Sequence, residues 1–196
     1  MSAASIPKKL AIFGGTFDPI HNAHLNLAHW VSRELELDRI VFIPNYQHPF
    51  QKRKNITDPA HRLEMLKIAT HNYPKFRLET FEIEQKKISY TIDTLNFLKQ
   101  KYPGSNLYFL MGADNIPNFD KWKEPQQILS LCTVAVYSRE LNNDIQDERF
   151  HYLKNPLFNV SSTDIRERIA TGRNCDELVP AEVLNYIIQH KIYPST

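Results

Sequence analysis

Two histidines, His21 and His24, stand three residues apart at the start of a predicted helix, and they are the first candidates for chemistry. Before them lies an apolar run, Leu10–Phe13, of the kind that forms a fully buried strand, followed by Gly14 and Gly15. Consecutive glycines let the backbone turn tightly or approach a ligand closely. Free N–H groups and the positive end of the helix dipole then point at one spot, where both imidazoles can help to bind an anion.

A second segment with anion-binding chemistry is Val160–Arg166, whose sequence is VSSTDIR. Ser161 and Asp164 form the S-x-x-D pattern that starts a helix, so the segment is predicted to end a strand and cap a helix. Hydroxyl groups, helix N–H groups and the guanidinium of Arg166 can together hold phosphate oxygens. Lys52, in a polar loop, is a further cation that could clamp the same phosphates.

Strands and helices alternate along the chain, which predicts a Rossmann-like, doubly wound parallel α/β sheet flanked by helices, in a single domain spanning residues 1–196. In such sheets ligands bind beyond the carboxyl ends of the strands, at the topological switch point. Asn22 is the predicted N-cap of the first helix, Ala23–Leu35, and a short edge strand is predicted at Leu157–Val160. The polar segments that follow strands should meet at one rim: Gly14–His24, Asn45–Lys54, Gly112–Asp114 and Ser161–Arg166.

Composition and charge exclude several classes of protein. The formal net charge of the 196 residues is +2 at pH 7, which is too small for a nucleic-acid binder that works by neutralising phosphates. No run of about 18 apolar residues occurs, and the first residues lack the pattern of a secretory signal. Cys132 and Cys175 form neither a disulfide framework nor a zinc pattern, so we expect a cytoplasmic protein without a membrane segment or a protein-held metal.

The segment Gly14–Asn22, GGTFDPIHN, resembles the GGTFDPIHxGH motif of the nucleotidyltransferases that share the HxGH sequence. Ala23 stands where that family usually has glycine. The segment Ser161–Arg166 matches the SSTxIR motif of the same family, in which it grips the phosphates of ATP. The two motifs lie about 140 residues apart and in the family's order, which makes chance agreement a poor explanation.

Three further segments narrow the resemblance to the bacterial nicotinate mononucleotide adenylyltransferases. The segment Ser89–Leu95, SYTIDTL, matches that group's SYTxDTL pattern. Gly112–Asp114 with Trp122 is similar to its GAD…W segment, and Val179–Tyr193 looks like its VPxxVxxYI…LY ending. The resemblance therefore covers nearly the whole chain.

The chain departs from this pattern around the pyridine-nucleotide side of the site. Gln85 or a neighbouring lysine replaces an arginine, Pro125 replaces a second tryptophan, and His48–Lys52 replaces PPHK. Two alternatives therefore stay open: an adenylyltransferase that prefers nicotinamide mononucleotide, and a catalytically silent nucleotide-binding or sensing module. The SYTIDTL stretch and the chain length argue against phosphopantetheine as the acceptor.

The resemblance implies adenylyl transfer from ATP to nicotinate mononucleotide, with Mg²⁺ held mainly by the ATP phosphates. It implies catalytic roles for His21, His24 and Arg166. It implies ATP contacts at Gly14, Gly15, Thr16, Phe17, Lys52, Ser161, Ser162, Thr163 and Arg166. It implies acceptor contacts at Tyr90, Thr91, Gly112, Asp114 and Trp122. ATP and nicotinate mononucleotide are the expected partners, nucleic acid and membrane are not, and a homo-oligomer is compatible with the sequence.

Overall fold

Six strands form a single sheet in the computed structural model, which describes residues 6–49, 56–138, 147–158 and 160–194. The strands are β1 Lys9–Gly15, β2 Arg39–Pro44, β3 Phe76–Leu78, β4 Asn106–Gly112, β5 Thr133–Tyr137 and β6 His151–Tyr152. The helices are α1 Asn22–Glu34, α2 Pro59–Thr70, α3 Phe81–Gln85, α4 Thr91–Lys101, α5 Pro125–Leu131, α6 Ser162–Ala170 and α7 Ala181–Gln189, and a 3₁₀ segment covers Ala113–Lys121.

The order of the strands places β1 in the middle of the sheet. The order is β3-β2-β1-β4-β5-β6, and every neighbouring pair is parallel. The chain runs from β1 outward to β3 and then crosses back to β4, so the topological switch point lies between β1 and β4. The prediction of a doubly wound, Rossmann-like parallel sheet flanked by helices is confirmed.

Helices cover both faces of β1, which explains why its sequence is an unbroken apolar run. Ala11 and Phe13 pack in one core with residues of α1, α2, α6 and α7. Leu10 and Ile12 point to the opposite face and pack with residues of α4 and α5. All four side chains are at most 2% exposed. The end of β1, where the first motif begins, is therefore fixed from both sides.

The edge of the sheet lies earlier in the chain than predicted. The strand expected at Leu157–Val160 is wrong, and the sixth strand is β6 instead. Just after β6 the side-chain amide of Asn155 takes over the pairing with Ser138: Nδ2 donates to the Ser138 carbonyl at 2.9 Å, and the Ser138 N–H donates to Oδ1 at 3.0 Å. Pro156 follows and has no N–H to donate, so the chain leaves the sheet there.

Two short helical elements are not revealed by the sequence pattern. The helix α3 has five residues, and the 3₁₀ segment contains Pro117, so neither shows a helical repeat long enough to recognise. Within the described ranges, no helix has both the length and the apolar character needed to cross a membrane.

Candidate active site

Packing as well as glycine shapes the loop after β1. Gly14 and Gly15 still belong to the strand, and a Cβ added to Gly15 would lie only 3.0–3.3 Å from the ring of Phe17. Phe17 is buried and has a φ of 48°, in the left-handed region that bulky residues rarely adopt. The left-handed backbone of this loop is therefore at Phe17, just before the turn at Asp18 and Pro19, and Gly15 leaves room for the Phe17 ring.

His21 and His24 lie at the N-terminus of α1 with their rings stacked, at a centroid distance of 3.6 Å and an interplanar angle of 21°. The backbone N–H of His21 donates to His24 Nδ1 at 3.3 Å. Because Nδ1 accepts, the proton of the neutral ring sits on Nε2, which makes His24 Nε2–H a donor. His21 is the N-cap, so the prediction of Asn22 is wrong; the Asn22 amide donates to the Glu177 carbonyl at 2.8 Å.

The first residues of α6 lie beside the two histidines. Ser161 caps the helix, since its Oγ accepts from the N–H of Asp164 at 3.1 Å. Ser162 Oγ donates to the carbonyl of Pro19 at 3.0 Å, which ties α6 to the first motif. One cleft of about 200 Å³ is lined by members of both motifs: His21, Ala23, His24, Ser161, Ser162 and Thr163. We name it the phosphate cleft.

Arg166 connects α6 to the loop after β1. Its Nη1 donates to the backbone carbonyl of Asp18 at 2.8 Å, and its Nη2 donates to Thr163 Oγ1 at 3.0 Å. The guanidinium thus lies next to Thr163, which lines the phosphate cleft. Lys52, the other cation predicted at the phosphates, falls outside the described residues.

A second cleft, of about 400 Å³, adjoins the phosphate cleft at Tyr137, which lines both. We name it the acceptor cleft. The end of β1 forms one part of its wall through Gly14, Gly15 and Thr16. The structure also brings together here all five residues predicted to contact the acceptor: Tyr90, Thr91, Gly112, Asp114 and Trp122.

The start of the 3₁₀ segment places Asp114 at the acceptor cleft. Gly112 is the residue that caps this segment, and a Cβ added to it would collide with the carboxylate of Asp114. The same Cβ would come within 3.5 Å of the Tyr137 hydroxyl. Glycine at this point therefore leaves room for the carboxylate to occupy its place on the cleft wall.

Trp122 combines core packing with a face on the acceptor cleft. Its ring centroid lies 5.9 Å from that of Phe109 and 5.4 Å from that of Phe119. Its Nε1 is buried and has no hydrogen-bond partner within the described part of the chain. The ammonium of Lys123 lies 5.1 Å from the ring centroid of Tyr90. The same ammonium is paired with Asp93 at 2.9 Å. A fixed aromatic wall suits stacking with a flat ring.

Sequence patterns do not identify Arg62, a fully buried residue of α2 that supports the site. Its guanidinium donates to the carbonyl oxygens of Thr16 at 2.7 Å, Asn45 at 2.8 Å and Thr57 at 3.0 Å. Arg62 thus holds the residues that follow β1 and β2 at a fixed separation. A single arginine in a helical pattern predicts an exposed side chain, so no local signal distinguishes it.

Glu82, in α3, is a second lining residue that sequence patterns do not identify. Burial raises the pKa of its carboxyl, and hydrogen bonds from the side chains of Thr94 and Ser89 act in the opposite direction. Thr94 Oγ1 donates to Glu82 Oε1 at 2.5 Å. The carboxyl therefore braces the start of α4 beside the acceptor cleft.

A cleft at the ends of parallel strands, with a helix N-terminus and hydroxyl and imidazole side chains in its lining, is typical of a nucleotide-binding α/β protein. The family model described as cytidylyltransferase-like matches residues 12–168, so the chain belongs to that family. Within it, the chain belongs to the nicotinate-nucleotide adenylyltransferases. It is 40% identical over 188 residues to the nicotinate-nucleotide adenylyltransferase of Bacillus subtilis (strain 168), covering 96% of this chain and all of that relative.

Solved structures show the same fold at lower identity. Plasmodium falciparum nicotinic acid mononucleotide adenylyltransferase complexed with NaAD aligns with a TM-score of 0.78 and 23% identity, over 95% of this chain and 97% of that one. The same protein complexed with APC aligns with a TM-score of 0.76, again at 23% identity and with the same coverage. These likenesses support the fold, and the family resemblance in the sequence motifs is confirmed by the relatives.

Proposed function

We propose that the chain transfers the adenylyl group of ATP to nicotinate mononucleotide, giving nicotinate adenine dinucleotide and pyrophosphate in the biosynthesis of NAD. One observation carries the proposal: two clefts share Tyr137 in their linings. One is lined by residues predicted at the phosphates, His21, His24, Ser161, Ser162 and Thr163. The other is lined by the five residues predicted at the acceptor, together with Gly14, Gly15 and Thr16. The 40% identity to a nicotinate-nucleotide adenylyltransferase over its full length supports the same acceptor.

The attacking group in this reaction needs no general base. A phosphate monoester has a second pKa of about 6, so the phosphate of nicotinate mononucleotide is already dianionic near neutral pH. Its oxygen attacks the α-phosphorus of ATP while the bond to the bridging oxygen breaks, and pyrophosphate leaves with the electron pair. Catalysis then depends on positioning and on donors directed at the charge that develops.

His24 and the N-terminus of α1 are the donors best placed for the α-phosphate. The Nδ1 bond from His21 assigns Nε2–H of His24 as a donor. The positive end of the α1 dipole lies behind the same ring. His21, stacked on His24, keeps that ring in its orientation and would contribute to the same phosphate.

The first turn of α6 would hold the phosphates that leave. Ser161, Ser162 and Thr163 face the phosphate cleft together with the helix N–H groups. Arg166, bonded to Thr163, adds a fixed positive charge there. We propose that Arg166, with Lys52, offsets the negative charge on pyrophosphate as it departs.

The acceptor cleft supplies separate contacts for ribose and pyridine. Asp114 would accept a hydrogen bond from a ribose hydroxyl, and Trp122 would stack on the pyridine ring. The start of α4, with Tyr90 as its N-cap and Thr91 as its first residue, presents backbone N–H groups to a carboxylate. This end of the cleft therefore favours nicotinate over the neutral amide.

Mg²⁺ would bind at this site together with the triphosphate. Mg²⁺ prefers oxygen ligands and usually binds through substrate phosphates and water. Among the described residues, no group of three or more His, Cys, Asp or Glu side chains could hold a metal ion. Asp18, the acidic residue of the first motif, has its carboxylate bonded to Tyr193 and to the Thr57 N–H. Bound mainly through phosphate oxygens and water, the ion would offset charge on the triphosphate, so we propose no protein ligand for it.

We place the reaction in the cytoplasm, because Cys132 and Cys175 are both free thiols, as is usual in a reducing compartment.

Pyrophosphate release from ATP tests the function with nicotinate mononucleotide, nicotinamide mononucleotide and phosphopantetheine as acceptors. We expect nicotinate mononucleotide to give the highest kcat/KM, by about tenfold or more over the amide. No release with any acceptor would indicate a silent nucleotide-binding module, and a preference for the amide would contradict the acceptor.

A further inference from the structure

A buried hydrogen bond joins the segment after α7 to the loop after β1. Tyr193 Oη donates to Asp18 Oδ1 at 2.6 Å, between residues 175 apart in the chain, and Asp18 is 2% exposed. Burial, and then the negative charge of Asp18, raise the pKa of Tyr193. The phenol therefore keeps its proton and stays a donor to this carboxylate at neutral pH.

Asp18 is the point at which three separate segments are bonded together. Its carboxylate accepts from Tyr193 and from the backbone N–H of Thr57, the latter at 3.4 Å. Its backbone carbonyl accepts from Arg166 Nη1 at 2.8 Å. The other side of the Arg166 guanidinium donates to Thr163, which lines the phosphate cleft. A displacement of Asp18 would therefore move the acceptor that holds Arg166.

The backbone on both sides of this bond adopts an unfavourable conformation. Phe17, next to Asp18, has a φ of 48°, and Tyr193 has a φ of 62°. Bulky residues rarely occupy this left-handed region, and they persist there only when the surrounding structure fixes them. The donor of this hydrogen bond and the neighbour of its acceptor are therefore both strained, and such strain is concentrated at functional sites.

We propose that Tyr193 is a positioning residue of the phosphate site, acting through Asp18 on Arg166. The inference rests on the proposed function of the phosphate cleft. Without the hydroxyl, the Asp18 carboxylate loses the shorter of these two hydrogen bonds and the loop can shift, so Arg166 is held less firmly for the phosphates of ATP. The acceptor cleft is lined by none of Asp18, Arg166 or Tyr193, so binding of the mononucleotide should change little.

The substitution Tyr193→Phe tests this directly, because it keeps the ring and removes only the hydroxyl. Tyr186→Phe is the matched control: the Tyr186 hydroxyl is bonded to His61 Nδ1 at 2.8 Å, and Tyr186 lines neither cleft. Calorimetric titration gives the Kd for ATP, steady-state kinetics give the KM for nicotinate mononucleotide, and thermal unfolding gives Tm. We expect Tyr193→Phe to raise the Kd for ATP about five- to tenfold and the acceptor KM less than about twofold. We expect Tyr186→Phe to change neither constant.

A second comparison shows whether the effect passes through Arg166. If it does, adding Tyr193→Phe to Arg166→Ala causes no further loss of ATP affinity, because the two changes remove the same interaction. Three results would overturn the inference. The first is an unchanged Kd for ATP in Tyr193→Phe. The second is an equal further rise in that Kd when Tyr193→Phe is added to Arg166→Ala, and the third is an equal loss of affinity for ATP and for the acceptor. Titration with ATP measures binding without turnover. A parent protein that binds ATP but releases no pyrophosphate would therefore contradict the proposed function and leave the inference about Tyr193 standing.

Discussion

The imidazole rings of His21 and His24 are stacked with their centroids 3.6 Å apart. Stacking at this distance restricts the rotation of both rings, and the backbone N–H of His21 holds the His24 ring through Nδ1. The pair is therefore arranged to present fixed donors at the N-terminus of α1.

Replacing His24 with alanine should remove a preorganised donor at the α-phosphate. We expect kcat to fall by about 10²- to 10³-fold, the range observed when one such donor is lost. His29→Ala is the control, because His29 is exposed on the same helix and lines neither cleft. Steady-state pyrophosphate release measures both variants, and a His24→Ala protein with near-parental kcat would remove His24 from the mechanism.

Replacing Arg166 with alanine should weaken ATP binding more than acceptor binding. A hydrogen bond to a charged group contributes about 1.5–3 kcal/mol, so we expect the Kd for ATP to rise by about tenfold or more. Arg168→Ala on the same helix is the control, since Arg168 pairs at 2.9 Å with Asp164 at the surface. Titration with ATP and with nicotinate mononucleotide separates the two effects, and equal ATP affinity in variant and parent would count against this role.

Replacing Gly112 with alanine should displace the carboxylate of Asp114 from the acceptor cleft. The added Cβ would collide with that carboxylate, which can rotate away without unfolding the strand. We expect kcat/KM for the acceptor to fall by about tenfold, the order of one lost hydrogen bond to a charged group, with little change in Tm. In an Asp114→Ala background, Gly112→Ala should cause no further fall in kcat/KM. A further tenfold fall in that background would show that Gly112 does not act through the Asp114 carboxylate.

Glu82 should make the stability of the protein decrease as pH rises. Burial raises the pKa of its carboxyl above the ordinary value of 4.5, so the folded state holds the proton more tightly than the unfolded state. This contribution is fully present below pH 4.5 and is lost as pH rises through the folded pKa. Glu82→Gln should therefore be more stable than the parent at neutral pH and equal to it in acid, as urea unfolding from pH 4 to 8 will measure. Parallel curves at all pH values would contradict the assignment.

The sequence was most informative where one local rule decides the structure. The apolar run Leu10–Phe13 lies within β1, because helices cover both faces of that strand. The helix expected at Ala23–Leu35 forms as Asn22–Glu34, and Ser161 caps α6 as its S-x-x-D pattern predicts. The two motifs could be placed at one rim because parallel strands all end on the same side of a sheet.

The remaining features depend on contacts between distant segments, which no local pattern contains. Arg62 is buried because three carbonyl groups from two loops converge on it. The edge strand was misplaced because the amide of Asn155 substitutes for a backbone pair. Tyr193 could be aligned with a family ending, but its bond to Asp18 follows only from the folded chain.

A crystal structure of the protein with a non-hydrolysable ATP analogue would show whether both motifs bind one triphosphate. We expect an α-phosphate oxygen within about 3.2 Å of His24 Nε2, with the terminal phosphates at the first turn of α6 beside Arg166. A triphosphate that reaches only one of these two groups, or that lies outside the phosphate cleft, would contradict this expectation.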